Sequence, residues 1–424
     1  MDKFLTYSKL VLYIIAAFFV VFLLIVGLEE DLMPYNYWAV LAINVYMVFA
    51  SRKNMMLFII MGILLYSNYS FIFANYIHWF DFTLYTQVIS PKVTTVSVNV
   101  MTLFTCLLLF LIPFDKIKPL PTTNIFIKEE RFDQRVCSIL LFMMVVVFFV
   151  GFDAPTIEGR RGHVKPIYEY ALSFFIVYFY YCGNAKKWLN TGVVFAVLYA
   201  GQNFIFGGRI YGLQFLLCTF VMVFMHKISM KQLMGGMSVL FVLFSIIGVV
   251  RGALLSSSVN VGEILNRLAN HGFALDTAYS AYYTSETFVY IDDIYSRSEK
   301  LDYFKDFIIS IFLGNSYNPS AFLANVSKQY LHNSAGGMMP YFFFFYLGHL
   351  GIIIPVLMLR FYLSKIINLY KKNTGYIKCI SAFVVTHTFR WYLYTPLGLL
   401  RGVLFLSIVF FGMYIVHNYR RNPF

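Results

Sequence analysis

The chain has 424 residues, of which 60% are hydrophobic, 20% aromatic and only 12% charged, and its mean hydropathy is +0.70. No soluble fold can hide that much apolar surface, so the composition excludes a water-soluble enzyme and points to the bilayer as the solvent. The formal net charge of +13 is then expected from membrane topology and contact with anionic headgroups, and a nucleic-acid partner is not expected.

Apolar runs long enough to cross a hydrocarbon core of ~30 Å recur along the whole length, each with its backbone polar groups satisfied inside a helix. The sequence predicts about twelve such spans, at 9–29, 37–51, 55–76, 95–114, 136–152, 166–183, 188–206, 211–226, 232–250, 338–359, 377–394 and 398–417. The first is expected to be a signal anchor, because its apolar core is long and the Gly27-Leu28-Glu29-Glu30 exit lacks a small-residue cleavage site. Basic residues set the orientation. Arg52 and Lys53, then Lys116, Lys118, Lys128, Arg131 and Arg135, then Lys186 and Lys187, Lys227 and Lys231, and finally Arg360 to Lys378 all fall in loops on one side. That side is expected to be cytoplasmic, together with both termini. The fold class is therefore all-α, a polytopic membrane protein with helices over 1–250, one large outer loop over 251–337, and three further spans and a cytoplasmic tail over 338–424. Cys106, Cys137, Cys182, Cys218 and Cys379 lie in predicted spans or on the inner side and frame no disulfide domain. No C-x-x-C or histidine-rich spacing marks a metal site, so neither metal nor cofactor is expected.

Four outer segments carry positive charge against the topology rule. They hold Arg160, Arg161, His163 and Lys165; the tight turn Gly207-Gly208-Arg209; Arg251, Arg267 and His271; and Arg390 with Arg401. Arginine at an outer boundary is either snorkelling to lipid phosphates or holding an anionic ligand, and several together favour the ligand. Arg209 is the sharpest candidate, since a guanidinium beside two glycines presents a fork of donors suited to a pyrophosphate. The 251–337 loop is too long for a connector. Its tyrosines at 279, 282, 283, 290, 295, 303, 317 and 330 suit sugar stacking and equally suit an interfacial belt. Phe307 to Leu313 is expected to form an amphipathic helix at the membrane surface. At the re-entry, His332-Asn333-Ser334 places an imidazole of pKa ~6.5 where a general base would stand; Asp276, Asp292 and Asp293 are the alternative carboxylates. Within the spans, interior charge is rare, and Glu169 and Arg390 are among the few exceptions.

This plan, with one large outer loop before the last three spans, resembles the Wzy-type O-antigen polymerases, relatives of the O-antigen ligases. His332-Asn333-Ser334 followed by Gly336-Gly337 resembles the His-Asn motif of the ligases, and Gly207-Gly208-Arg209 resembles the Gly/Ser-Arg turn shared by both groups. The Arg160-Arg161-Gly162 loop falls where that family also places an outer arginine. The continuation Ala335-Gly336-Gly337-Met338-Met339-Pro340 departs from the leucine-rich run of the ligases. The resemblance implies a C-type glycosyltransferase-like fold in the bacterial inner membrane and metal-independent glycosyl transfer on its outer face. Undecaprenyl-pyrophosphate-linked glycan is the implied substrate and a chain-length regulator the implied partner. It implies His332 and Arg209 as catalytic residues, and Arg160, Arg161, Arg251, Arg267, His271, Asn333, Arg390 and Arg401 as substrate contacts. A ligase delivering glycan to a lipid A core, or a flippase, is the alternative.

Overall fold

The computed structural model describes residues 2–32, 34–71, 90–119, 125–126, 131–153, 163–206, 208–239, 262, 265, 276–314, 322–330, 336–369 and 374–419. Almost all of them are helical. In chain order they are α1 (Asp2–Ile25), α2 (Tyr35–Ala50), α3 (Met55–Phe71), α4 (Pro91–Leu111), α5 (Gln134–Val150), α6 (Pro166–Cys182), α7 (Lys186–Phe206), α8 (Arg209–Thr219) and α9 (230–239). The second half holds α10 (Asp276–Asp292), α11 (Arg297–Leu313), α12 (Leu323–Ser327), α13 (Met339–Gly351), α14 (Ile353–Ile367), α15 (Gly375–Thr386), α16 (Thr388–Leu393) and α17 (Leu397–Tyr419).

Local sequence explains where several of these begin. Ser90 caps α4 by accepting from the Val93 amide, with Pro91 at the first helical position, where its missing N–H is no loss. Asp133 caps α5 by accepting from the Arg135 and Val136 amides. Ser296 and Glu299 form a capping box at the start of α11. A two-residue antiparallel pair, Phe152–Asp153 with His163–Val164, closes the link between α5 and α6. The core is aromatic: Tyr168, Phe175, Tyr199 and Phe215 meet with ring centroids 4.7–6.1 Å apart, geometry that adds edge-on attraction to the area they bury.

Among the described residues, four helices are long and apolar enough to cross a membrane: Tyr7–Ile25, Pro91–Leu111, Ile210–Lys227 and Leu397–Tyr419. The third continues α8 through a π-helical turn, Phe220–Phe224. Other predicted spans take a different form. The run at 338–359 is two helices, α13 and α14, bent by 108° after Gly348, which sits at φ +63°, a conformation that ends a helix. The run at 377–394 breaks at His387 into α15 and α16. The 251–337 segment also holds more order than its polarity implies, since α10 lies inside the bundle against α3, α4 and α13. Glu286 on α10 is 4% exposed, and its Oε1 has no hydrogen-bond partner among the described residues.

Long-range bonds orient the bundle. At one end Lys9 pairs with Asp115 at 2.5 Å, and the Asp133 carboxylate lies 2.8 Å from His417 Nδ1 near the end of α17. The Asp133 amide also donates to the Tyr181 carbonyl, near the end of α6. The beginnings of α6 and α17 therefore gather at the opposite end of the bundle.

Candidate functional site

At that opposite end lies a cavity of about 260 Å³, lined by pieces of chain far apart in sequence. The first turns of α6 supply Glu169 and Tyr170; α16 and the link after it supply Arg390, Tyr394 and Thr395; the first turns of α17 supply Gly398, Arg401 and Gly402; and Phe322 and Gly336 come from the 251–337 segment. The break between α15 and α16 places His387 in the wall, its ring stacked on Phe383 at 4.9 Å. The Gln214 side-chain amide donates to His387 Nδ1 at 2.8 Å, so the ring proton of the neutral form sits on Nε2, beside Gly398.

The two arginines of the cavity are held differently. Arg390 Nη2 donates to Glu169 Oε1 at 2.6 Å, and the Tyr211 hydroxyl, from the first turn of α8, donates to the same oxygen. The Arg390 guanidinium lies against the rings of Tyr211 and Tyr394, 4.9 Å from each centroid. Its charge is thus neutralised and its plane fixed. Arg401 has no ion pair or hydrogen bond among the described residues. Its guanidinium stacks 5.2 Å from the centroid of Tyr170 and lies against Gly314, the C-cap of α11. There φ is +85°, and a β-carbon would stand 2.6 Å from the guanidinium. Only glycine allows both the turn and the approach. Gly336 is equally constrained, because a β-carbon there would stand 2.1 Å from the Tyr394 carbonyl oxygen, and the Gly337 amide donates to that same oxygen at 3.2 Å.

Two cations against one carboxylate leave the cavity a surplus of one positive charge, carried by Arg401 with its donors unassigned. Such a site takes an anion with oxygen acceptors, a phosphate above all. Among the described residues no group of three His, Cys, Asp or Glu side chains is placed to hold a metal.

Of the residues singled out in the sequence, the structure brings Arg390 and Arg401 together on one cavity. Arg209 is the first residue of α8, two positions before Tyr211; its side chain lies outside the described part. Arg160, Arg161, Arg251, Arg267, His271, His332 and Asn333 also lie outside the described residues. Gly336, four positions after His332, lines the cavity. Tyr170, Tyr211, His387, Gly314 and Tyr394 were not legible as site residues. The rare charges Glu169 and Arg390 were legible as exceptions within apolar spans, and their pairing accounts for both. Comparison of the chain with protein-family models, curated protein sequences and solved structures finds no match in any of the three.

Proposed function

We propose that the protein is an O-antigen polymerase. In this reading it crosses the bacterial inner membrane about twelve times with both termini in the cytoplasm, and joins undecaprenyl-pyrophosphate-linked repeat units at the outer face. The observation that carries the reading is Arg401, a guanidinium with no carboxylate partner among the described residues, braced by Tyr170 and Gly314 on a cavity shared with the Arg390–Glu169 pair. The chain motifs His332-Asn333 and Gly207-Gly208-Arg209 supply the sequence side of the argument.

In the proposed reaction, the acceptor sugar hydroxyl attacks the anomeric carbon of the lipid-linked chain. The bond from that carbon to the pyrophosphate oxygen breaks, and the electron pair leaves with the pyrophosphate. Arg401, with Arg209, stabilises the departing charge, while Arg390, paired with Glu169, contacts the substrate; the electrostatic term at the departing charge is the largest that fixed donors supply in a water-poor site. His332 takes the hydroxyl proton. Arg160, Arg161, Arg251, Arg267, His271 and Asn333 are assigned to substrate binding around it.

The test is the lipopolysaccharide ladder on a gel from a strain lacking the protein, complemented with wild type or Arg401→Ala. Wild type is expected to restore the ladder and Arg401→Ala to leave core with a single repeat unit at equal protein level. Core with no repeat in the deletion strain, and glycan held on the lipid carrier, would overturn the polymerase reading in favour of a ligase or flippase.

A further inference from the structure

The outer segment carries a second site that the anion cavity does not use. Tyr295 precedes α11, Tyr303 lies on α11, and Tyr330 lies in the turn after α12. Their rings meet around Tyr295, with centroids 5.5 Å from Tyr303 and 6.1 Å from Tyr330, and the cluster rests on Phe345 of α13 at 5.8 Å. The Tyr295 and Tyr330 hydroxyls are 2.9 Å apart. Tyr330 is 36% exposed, and Tyr290 is exposed nearby in sequence. At the edge, Lys300 Nζ pairs with Asp292 at 2.7 Å and lies 5.9 Å from the Phe345 ring, so the platform is braced from below and beside.

The chemistry of this patch differs from that of the cavity. Between 297 and 306 three basic and three acidic residues alternate, which gives an anion no surplus charge to bind. Phenol rings that carry hydroxyls at their rim suit a ligand with apolar C–H faces and many hydroxyls. Saccharides have that character. Placement adds a second argument: two elements carry both sites. α11 bears Tyr303 and ends at Gly314 against Arg401, and eleven residues at ~1.5 Å each put about 16 Å between them. The segment 322–330 likewise lines the cavity with Phe322 and reaches the platform with Tyr330.

We infer that Tyr295, Tyr303 and Tyr330 form a carbohydrate-binding platform that holds the glycan chain while its anionic end sits in the Arg401 cavity. The link to the cavity rests on the polymerase reading; the platform itself does not. By holding the product between additions, it sets how many repeats are joined before release.

Two measurements test this. In the complemented deletion strain, Tyr330→Ala and Tyr303→Ala together are expected to shorten the ladder while transfer of the first repeats persists, and Tyr330→Phe, which keeps the ring, to stay closer to wild type. A wild-type length distribution in the double variant, at equal protein level, would overturn the role in chain length. Separately, saturation-transfer NMR on the purified full chain uses polysaccharide freed of lipid by mild acid as the probe. Wild type is expected to bind it and Tyr330→Ala to bind about fivefold more weakly, equivalent to about 1 kcal/mol. Equal binding by both proteins, or none by wild type, would overturn the platform. Binding that depends on Tyr330, in a strain where wild type restores no ladder, would keep the platform and reject the polymerase reading.

Discussion

Arg401 and Arg390 line the same cavity but answer to different substitutions. Arg401→Lys is expected to fail nearly as fully as Arg401→Ala in the ladder assay, because an ammonium neither stacks on Tyr170 nor offers a planar fork. Gly314→Ala provides an independent check from the other side of the contact. Strain at φ +85° and a β-carbon 2.6 Å from the guanidinium are expected to cost about 1–2 kcal/mol in thermal stability. Polymer should be lost with it, although Gly314 itself has no functional side chain. Glu169→Gln keeps an acceptor for Arg390 but removes the charge, and so raises the positive surplus of the cavity. Its expected stability cost is about 1–2 kcal/mol, read as a lower melting temperature in detergent. At the other end of the bundle, burial works against the Asp133 carboxylate, yet the hydrogen bond from His417 and the Val136 and Arg135 amides hold it below the usual carboxylate range. Its stabilisation is therefore fully present above the unfolded value of about 4 and is lost as pH falls through the folded one. The melting-temperature gap between wild type and Asp133→Asn is expected to be constant at neutral pH and to close below about pH 4.

At the scale of elements, the breaks matter more than the spans. Two predicted spans contain a bend, at Gly348–Ile352 and at His387, and His387 and Arg390, beside the second break, both line the cavity. α16 ends at Leu393, and the carbonyl of its C-cap residue Tyr394 receives the Gly337 amide. Gly336→Ala tests that junction. Its β-carbon would meet backbone rather than a movable side chain, so the segment after His332 has to shift, at a cost of about 1–3 kcal/mol. Loss of the ladder together with lowered thermal stability is the expected result, and an unchanged melting temperature would show that the junction yields. α10 is the other element whose place is informative. Seven of its residues from Thr284 to Tyr290 include the buried Thr284, Ser285, Glu286 and Thr287. Thr284, Ser285 and Thr287 bond back to carbonyls of the preceding turn, so they enter the core with their polar groups satisfied. Ser285 also accepts from the Met338 amide at 2.8 Å, which ties α10 to the start of α13.

For the molecule as a whole, the chain itself determined a great deal: its composition is compatible with an apolar solvent, where helices satisfy their own backbone groups, and boundary charges suggest an orientation. Reporter fusions are expected to place 116–118 on the same side as both termini and 297–306 on the other; the reverse would overturn the orientation. Arg390 and Arg401 were visible because charge is rare in and beside apolar runs and so stands out in the sequence. What tertiary structure alone decided is which charges meet. Glu169 and Arg390 are 221 residues apart, and no local pattern announces their pairing. That Arg401 has no partner among the described residues is likewise a property of its neighbours, since hydrophobic periodicity records which face is buried but not which polar group across the bundle satisfies another. The same limit hid the place of α10, which falls in the segment 251–337 and carries buried serines and threonines. Their hydroxyls find partners within their own helix, and only packing reveals that such a helix can lie in the core.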